Sequence, residues 1–286
     1  MNVQMLMGET LFDIESPLPI RWRKEEVGFV YHGEPFRQRI TVHIHMVSSL
    51  PGIIDRQVYQ AHGIRFGFDT EGREVRAYNA PYIAGDPTYA ESVLDGSAIT
   101  IYFLDDPRIW YNPNVRFWNL VHMERLLLRV GALVLHCSYL MYENRAILFS
   151  APCGTGKTTQ AKLWEKLYPA TIINGDKAII QKKGNTWFAC GYPFHGSADE
   201  CRNEDYPIEA VVVVRQNPRD YIETMRTLKK VQYIYSETTV AAWDPVEVET
   251  AFKLIEELVC DVQVVCQQCT MNDEACHTLH RYLKEN

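Results

Sequence analysis

Between residues 145 and 159 the chain reads Arg145-Ala146-Ile147-Leu148-Phe149-Ser150-Ala151-Pro152-Cys153-Gly154-Thr155-Gly156-Lys157-Thr158-Thr159. The first six residues are largely apolar and predict a short buried strand, and residues 160–167 carry apolar side chains at helical spacing. The segment between them has the spacing A-x-x-x-x-G-K-[ST], a phosphate-binding loop pattern with alanine in the first position. Because this loop requires a strand before it and a helix after it, the stretch predicts an α/β fold around a phosphate site.

Both the backbone and the side chains of this loop are suited to a nucleotide. Two glycines let the loop curl so that several N–H groups point at an anion, and the positive end of the following helix points the same way. We expect Lys157 to reach the β- and γ-phosphates and the Thr158 hydroxyl to bind Mg²⁺. The predicted cofactors are ATP and Mg²⁺, with GTP left open because the loop reads phosphates. The predicted binding residues are Cys153, Gly154, Thr155, Gly156, Lys157, Thr158 and Thr159.

Length and composition limit the function classes. The chain has 286 residues, which suits two domains, and its 47% hydrophobic and 23% charged content is ordinary for a soluble globular protein. A net charge of -7 argues against a non-specific nucleic-acid binder. No apolar stretch approaches the ~20 residues that span a membrane. Residues 1–18 contain three acidic and no basic residues, unlike a secretory signal. We therefore expect a cytoplasmic protein.

The eight cysteines predict reduced thiols and no disulfide framework, given the size of the chain. One cluster allows an alternative, because Cys266, Cys269, Cys276 and His280 could together bind zinc. The favoured interpretation places Cys266 at the end of a strand and Cys269 in a turn. Cys276 and His280 then share one face of the last helix.

Residues 1–110 predict a β-rich domain with an antiparallel sheet, since apolar and polar residues alternate between turn signals. The predicted strands of this domain are 20–23, 28–31, 39–46, 64–68, 74–78 and 98–103. Residues 115–130 then predict an amphipathic helix that ends at Gly131. We place the domain boundary near residue 110, so that 111–286 forms the nucleotide-binding domain.

Around the loop the sequence predicts further elements and one candidate catalytic group. Residues 133–141 predict a strand that turns at Glu143 and Asn144 into the strand before the loop. An apolar strand near 170–173 ends at Asn174-Gly175-Asp176, where a carboxylate next to a phosphate loop can hold Mg²⁺ or accept a proton. Other predicted strands are 186–190, 208–214 and 262–265, and other predicted helices are 246–257 and 272–284.

Taken together, these residues resemble the HPr kinase group, whose P-loop fold is related to phosphoenolpyruvate carboxykinase. The resemblance covers about residues 130–270 and is closest to HPr-kinase-like proteins encoded beside bacterial peptide-modification genes. Residues 151–158 match the family loop G-x-S-G-x-G-K-S, and His136 precedes the loop by the family's offset. Asn174-Gly175-Asp176-Lys177 stands at the family's A-D-D-R, and Cys201-Arg202 at its arginine near the transferred phosphate.

This chain departs from the family in two places. Gly175 replaces the first aspartate of the family's pair, which leaves Asp176, and Pro193-Phe194-His195-Gly196 replaces a Glu-x-Arg-Gly stretch. The missing acidic group puts the phosphate-driven reverse reaction in doubt. Residues 1–110 match no family that we can name.

The resemblance implies a kinase that transfers the γ-phosphoryl group of Mg-ATP to a serine of a peptide or small protein. Thr158 and Asp176 are the expected metal ligands, Asp176 or His136 the base, and Lys157 and Arg202 the groups that stabilise phosphoryl charge. Residues 1–110 and the loop 191–204 are expected to bind the acceptor. Kinases of small hydroxyl metabolites and non-catalytic nucleotide-binding partners remain alternatives, no nucleic-acid or membrane partner is expected, and a homo-oligomer stays open.

Overall fold

In a computed structural model, which describes residues 1–80, 83, 85–110, 117–194 and 200–285, the chain is a mixed α/β protein. It divides into two compact units, Met1–Leu126 and Leu127–Asn286. This division lies after the predicted boundary near residue 110. Residues beyond 110 contact the first unit, since the Trp118 ring meets Phe12 edge to face at 5.5 Å between ring centroids.

The first unit is an eight-stranded sheet with the order β1-β2-β3-β8-β7-β6-β5-β4. Its strands are β1 (Asn2–Met7), β2 (Thr10–Glu15), β3 (Gln38–Val47), β4 (Arg56–Ala61), β5 (Ile64–Phe68), β6 (Glu74–Asn79), β7 (Thr88–Asp95) and β8 (Ala98–Leu104). The prediction of an antiparallel sheet was wrong, because β3 pairs in parallel with both β2 and β8. The β-rich character itself is confirmed.

Two segments of the first unit that were predicted to be strands are described by the structure but form no strand. Residues 20–23 follow Pro17 and Pro19, which cannot donate to a strand ladder, and form no strand. The 28–31 stretch instead overlaps a 3₁₀ helix, Glu26–Phe29. Conversely, β7 was missed because buried Glu91 interrupts its apolar pattern, and the Glu91 carboxylate accepts hydrogen bonds from the backbone N–H groups of Gly52 and Ile53.

The predicted helix over 115–130 is broken. Residues 115 and 116 lie outside the described residues, a 3₁₀ helix spans Phe117–Leu120, and the α-helix is confined to Met123–Arg129. The break falls at His122, which is fully buried and whose ring nitrogens contact Glu74 and Ser92. These buried polar contacts within the first unit outweigh the helical periodicity.

The second unit is a mixed eight-stranded sheet with the order β10-β9-β12-β13-β14-β16-β15, in which β11 also pairs with β9 and β10 pairs with β14. Its strands are β9 (Ala132–Tyr142), β10 (Arg145–Ser150), β11 (Thr171–Asn174), β12 (Lys177–Lys183), β13 (Thr186–Cys190), β14 (Tyr206–Gln216), β15 (Tyr221–Thr224) and β16 (Gln263–Cys269). The described α-helices of the chain are α1 (Pro107–Trp110), α2 (Met123–Arg129), α3 (Lys157–Leu167), α4 (Thr227–Glu237), α5 (Pro245–Asp261) and α6 (Asp273–Glu285).

Helices cover both faces of this second sheet. Along β10 successive side chains alternate between two buried clusters, as the two-residue period of a strand requires. Ala146 and Leu148 join the cluster that contains α4 and α5 residues, whereas Ile147 and Phe149 join the one that contains α3 and α6 residues. The strand and helix predicted around the loop are confirmed.

Candidate functional site

The register of β9 brings the loop and the predicted carboxylate together. Cys137 of β9 pairs with Ser150, the last residue of β10, and His136 pairs with Lys177, the first residue of β12. The loop begins directly after Ser150, and Asp176 directly precedes Lys177. Both segments therefore reach β9 at adjacent residues, β10 along one edge of the strand and the β11–β12 segment along the other.

A tight hairpin sets the spacing between His136 and the loop. Glu143 and Asn144 both adopt positive φ, at 50° and 59°, which is the conformation of a two-residue type I′ turn. Each β9 residue then faces a fixed β10 residue, from Tyr142 opposite Arg145 to Cys137 opposite Ser150. The offset noted in the sequence is thus a consequence of hairpin register.

The loop has the backbone conformation that its glycines permit. Gly154 and Gly156 lie at φ 79° and 112°, in the range where residues with a Cβ are strained. Gly156 is also the residue that precedes α3, and a Cβ there would lie 2.4 Å from Cε of Met271. Glycine is therefore required at position 156 by the backbone angle, whereas the end of the flexible Met271 side chain can move aside.

Lys157 is buried inside the loop. Its ammonium group donates hydrogen bonds to the carbonyl oxygens of Ala151 at 2.6 Å and of Pro152 at 3.4 Å. Cys153 and Thr159, two of the predicted binding residues, are exposed on the same loop and helix start. The Lys157 ammonium therefore lies against loop carbonyls at the N-terminus of α3, and this arrangement of positive charge is suited to binding a polyphosphate.

Thr158 lies in a small cluster of hydroxyl groups. Its Oγ1 is 3.3 Å from the Oγ of Ser138, which in turn donates a 3.1 Å hydrogen bond to the carbonyl of Gly175. Ser138 was not predicted, although it follows His136 by two residues and so shares its face of β9. The cluster connects the predicted Mg²⁺ ligand of α3 to the turn that carries Asp176.

The imidazole of His136 lies between two carboxylates. Its Nε2 is 3.5 Å from Oδ1 of Asp176, and its Nδ1 is 3.0 Å from Oε2 of Glu237. The His136 and Asp176 side chains keep 28% and 21% of their exposure, so both remain accessible to a substrate. Glu237 was missed, since it stands 101 residues from His136 and no local pattern marks it.

This arrangement shifts two ionisation equilibria in opposite directions. Hydrogen bonds with Asp176 and then Glu237 raise the pKa of His136 above its usual range. Burial alone would raise the pKa of Asp176, but the His136 hydrogen bond and the charges of Lys177, His136 and Lys157 lower it. The site therefore favours an ionised Asp176 beside a protonated His136.

Asn174 fixes the turn that presents Asp176. It is fully buried, and its Oδ1 accepts hydrogen bonds from the backbone N–H of Asp176 at 2.8 Å and of Lys177 at 3.0 Å. Its Nδ2 donates to the carbonyls of Tyr192 and Phe194. Asn174 thus forms an Asx turn that presents the carboxylate, and its Nδ2 ties that turn to the first residues of the 191–204 loop.

Arg202 is brought near the site by its backbone. Its N–H donates a 2.9 Å hydrogen bond to the carbonyl of Ile173 in β11, whereas its half-exposed guanidinium lies 3.7 Å from Glu204. The described ion pair of Arg202 is thus with Glu204. His195 and Gly196, which belong to one of the family departures, lie outside the described residues.

A cavity of about 480 Å³ adjoins the loop within the second unit. Pro152 and Thr155 of the loop form one wall, and Arg215, Tyr233 and Glu237 belong to the others. The Arg215 guanidinium lies 4.8 Å from the centre of the Tyr233 ring. The cavity thus combines an aromatic face with charged groups beside the predicted phosphate-binding loop.

The geometry bears on the predicted Mg²⁺ ligands and on the alternative zinc cluster. Mg²⁺ is commonly held by one or two protein oxygens together with substrate phosphates, and Thr158 with Asp176 fits that modest demand. Among the described residues, no three His, Cys, Asp or Glu side chains are grouped to hold a metal ion. Cys269 lies within β16 and not in a turn, and it faces the α3–α6 cluster with Cys276, whereas Cys266 faces the α4–α5 cluster.

Comparison with known proteins gives little further guidance. No family model and no curated protein matches the chain. Among solved structures, the chain is similar to the Hpr(Ser) kinase/phosphatase from Coxiella burnetii at 8% identity and a TM-score of 0.26, over 32% of this chain and 70% of that one. A likeness at this TM-score carries no argument about activity. No helix in the described ranges has the length and apolar content needed to cross a membrane.

Proposed function

We propose that this chain is an Mg²⁺- and ATP-dependent kinase that transfers the γ-phosphoryl group to a hydroxyl, with a serine of a peptide or small protein as the acceptor. The observation that supports this proposal most directly is the register of β9. It brings a phosphate-binding loop and an Asp176–His136 pair to the same point of one sheet. Phosphoryl transfer requires mainly positioning and charge neutralisation, which these groups can supply.

Each residue has a definite part in the proposed reaction. The backbone N–H groups of the loop and the Lys157 ammonium hold the phosphates, and the ammonium exchanges its Ala151 carbonyl for a phosphate oxygen. Thr158 and Asp176 would bind Mg²⁺, which screens the phosphate charge when bound. Arg202 would approach the moving phosphoryl group by leaving Glu204. The cavity beside Pro152 and Thr155 would receive the nucleoside.

Asp176 is the better candidate for the base. A general base must be unprotonated before it accepts a proton. The contacts of the site lower the pKa of Asp176 and raise that of His136, which favours an ionised carboxylate and a protonated imidazole. His136 would then hold and orient the carboxylate while Asp176 takes the proton of the attacking hydroxyl.

The proposed acceptor follows from the family resemblance and from chemistry. A serine hydroxyl has to be brought to the γ-phosphate, and the 191–204 loop of the second unit is proposed to bind the chain that carries it. Residues 195–199 of that loop are outside the described part of the chain. A small hydroxyl metabolite is the second candidate acceptor.

The test is a labelling experiment with the full chain. The purified protein is incubated with γ-labelled ATP and Mg²⁺, and with serine-containing peptides encoded beside it or with free amino acids and sugars. The Lys157→Ala variant serves as the control. Label on a peptide serine supports the proposal, and label on a metabolite supports the second candidate. ATP that is bound but intact with every acceptor contradicts both and favours a nucleotide-gated binding protein.

A further inference from the structure

Glu237 occupies an unfavourable place for a carboxylate. It is the last residue of α4, where the partial negative charge of the helix C-terminus disfavours an acidic side chain. The Glu237 side chain is also only 12% exposed, so it loses much of its contact with water. A carboxylate in such surroundings requires a compensating partner, and the structure supplies one in the imidazole of His136.

The end of α4 is attached to the strand that carries His136. The N–H of Thr239 donates a 2.9 Å hydrogen bond to the carbonyl of Val134, and Thr238 forms an antiparallel bridge with Leu135. These backbone contacts fix α4 against the two β9 residues before His136. Main-chain hydrogen bonds next to Glu237 therefore position its side chain beside the histidine.

The contact is directed at one nitrogen of the ring. Oε2 of Glu237 lies 3.0 Å from Nδ1, while Asp176 faces Nε2 from the other side at 3.5 Å. When a carboxylate accepts a hydrogen bond from one ring nitrogen, it sets both the position of the proton and the orientation of the ring. Glu237 also forms part of the cavity wall beside Pro152, so it borders the site itself.

We propose that Glu237 is a positioning residue, which holds the His136 ring with Nδ1 turned to α4 so that Nε2 faces Asp176. This inference rests on the proposed kinase function, because it assigns the ring a task in orienting the base. The Glu237 carboxylate is not itself proposed to bind phosphate or Mg²⁺, and a glutamine at this position keeps the size of the side chain in the cavity wall. Loss of the Glu237 carboxylate should therefore reduce turnover without weakening nucleotide binding.

The experiment combines turnover with a direct signal from the ring. In Glu237→Gln we expect phosphoryl transfer from Mg-ATP, measured to the acceptor found by labelling or to water, to be about tenfold slower than in the wild type. The Kd for ATP should stay within about twofold of the wild-type value. The same change made in a His136→Gln background should have less than about a twofold effect, because Glu237 acts through the ring. Glu249→Gln, which removes an exposed carboxylate from α5, is the matched control.

Nitrogen NMR of isotope-labelled imidazoles gives a readout that does not depend on activity. The Nδ1 signal of His136 should move in Glu237→Gln and stay in place in Glu249→Gln. An unmoved Nδ1 signal, or an equal loss of turnover with and without His136, overturns the proposal. Glu237→Asp, which keeps the charge, should recover part of the turnover and guards against a misfolded glutamine variant. If the wild type transfers no phosphoryl group, the kinase function fails, whereas the ring signal still tests Glu237.

Discussion

The hydroxyl of Ser150 donates a 3.1 Å hydrogen bond to the backbone carbonyl of His136. Ser150 is the last residue before the predicted phosphate-binding loop, so this contact attaches the start of the loop to the residue that carries the imidazole. The adjacent Cys137 N–H donates a 3.0 Å hydrogen bond to the carbonyl of Asp176. Loop, histidine and carboxylate are thus connected through two consecutive residues of β9, and their mutual positions are set by hydrogen bonds to the backbone of that strand.

Lys157→Ala should abolish ATP binding. The variant removes the ammonium that is proposed to hold the β- and γ-phosphates. Alanine is a good helix former, so α3 should still begin at this position. Isothermal titration with Mg-ATP measures the effect. Lys166→Ala is the matched control, because Lys166 stands on the same helix with a 63% exposed side chain paired to Asp273. Unchanged ATP affinity in Lys157→Ala would remove the loop from the proposed mechanism.

Asp176→Asn should leave ATP binding largely intact and reduce turnover by at least ~100-fold, because the amide cannot accept the proton of the hydroxyl. The amide keeps the size of the side chain, and the Asx turn of Asn174 uses only the backbone N–H of residue 176. Comparing kcat with the ATP Kd separates a lost base from lost binding. Full activity in this variant would exclude Asp176 as the base.

Gly156→Ala should impair both stability and nucleotide binding. Its φ of 112° disfavours a residue with a Cβ, and the added methyl would also push Met271 away from the loop. Gly184→Ala provides the control, since Gly184 has a φ of 61° but open space around its Cβ position. Backbone strain alone costs on the order of 1–2 kcal/mol. We expect thermal unfolding to show a larger loss for Gly156→Ala, because a φ of 112° lies farther than a φ of 61° from the left-handed conformation that other residues can adopt. Equal losses would contradict this prediction.

The first unit should lose stability in acid partly through Glu124. Burial would raise the pKa of this carboxyl, but the charge and hydrogen bond of Arg76 lower it below its ordinary value of 4.5. The folded state then binds this proton less readily than the unfolded state, so the contribution is complete above about pH 4.5 and is lost as pH falls through the folded pKa. Glu124→Gln should flatten the pH dependence of unfolding in this range, measured by denaturant titration. An unchanged slope would show that the ion pair contributes nothing.

Protein purified without chelator should contain no stoichiometric zinc. Residues 266 and 269 are three apart on a strand, so their side chains project from opposite faces of the sheet. The two thiols therefore lie in different buried clusters and cannot bind the same metal ion. Elemental analysis of the full chain measures the metal content. One equivalent of zinc per chain, lost in a Cys269→Ser variant, would restore the cysteine cluster as a metal site.

The sequence by itself determined the loop and its surroundings. The strand Arg145–Ser150, the glycines with positive φ and the helix after them are all local features, since each depends on side-chain period or backbone freedom within a few residues. The strand that ends before Asp176 and the helices near the C-terminus were predicted for the same reason. Strong local periodicity is enough to predict a helix or strand wherever one face of that element is buried.

Only the tertiary structure decided which residues meet at the loop. Glu237 reaches His136 across 101 residues because α4 is attached to β9 by backbone hydrogen bonds, a contact that no spacing in the sequence reveals. The broken helix at His122 and the parallel pairs of β3 have the same origin, since buried polar contacts and non-local strand pairing override local preference. Sequence specified the chemistry of the loop, and long-range packing selected the partners that surround it.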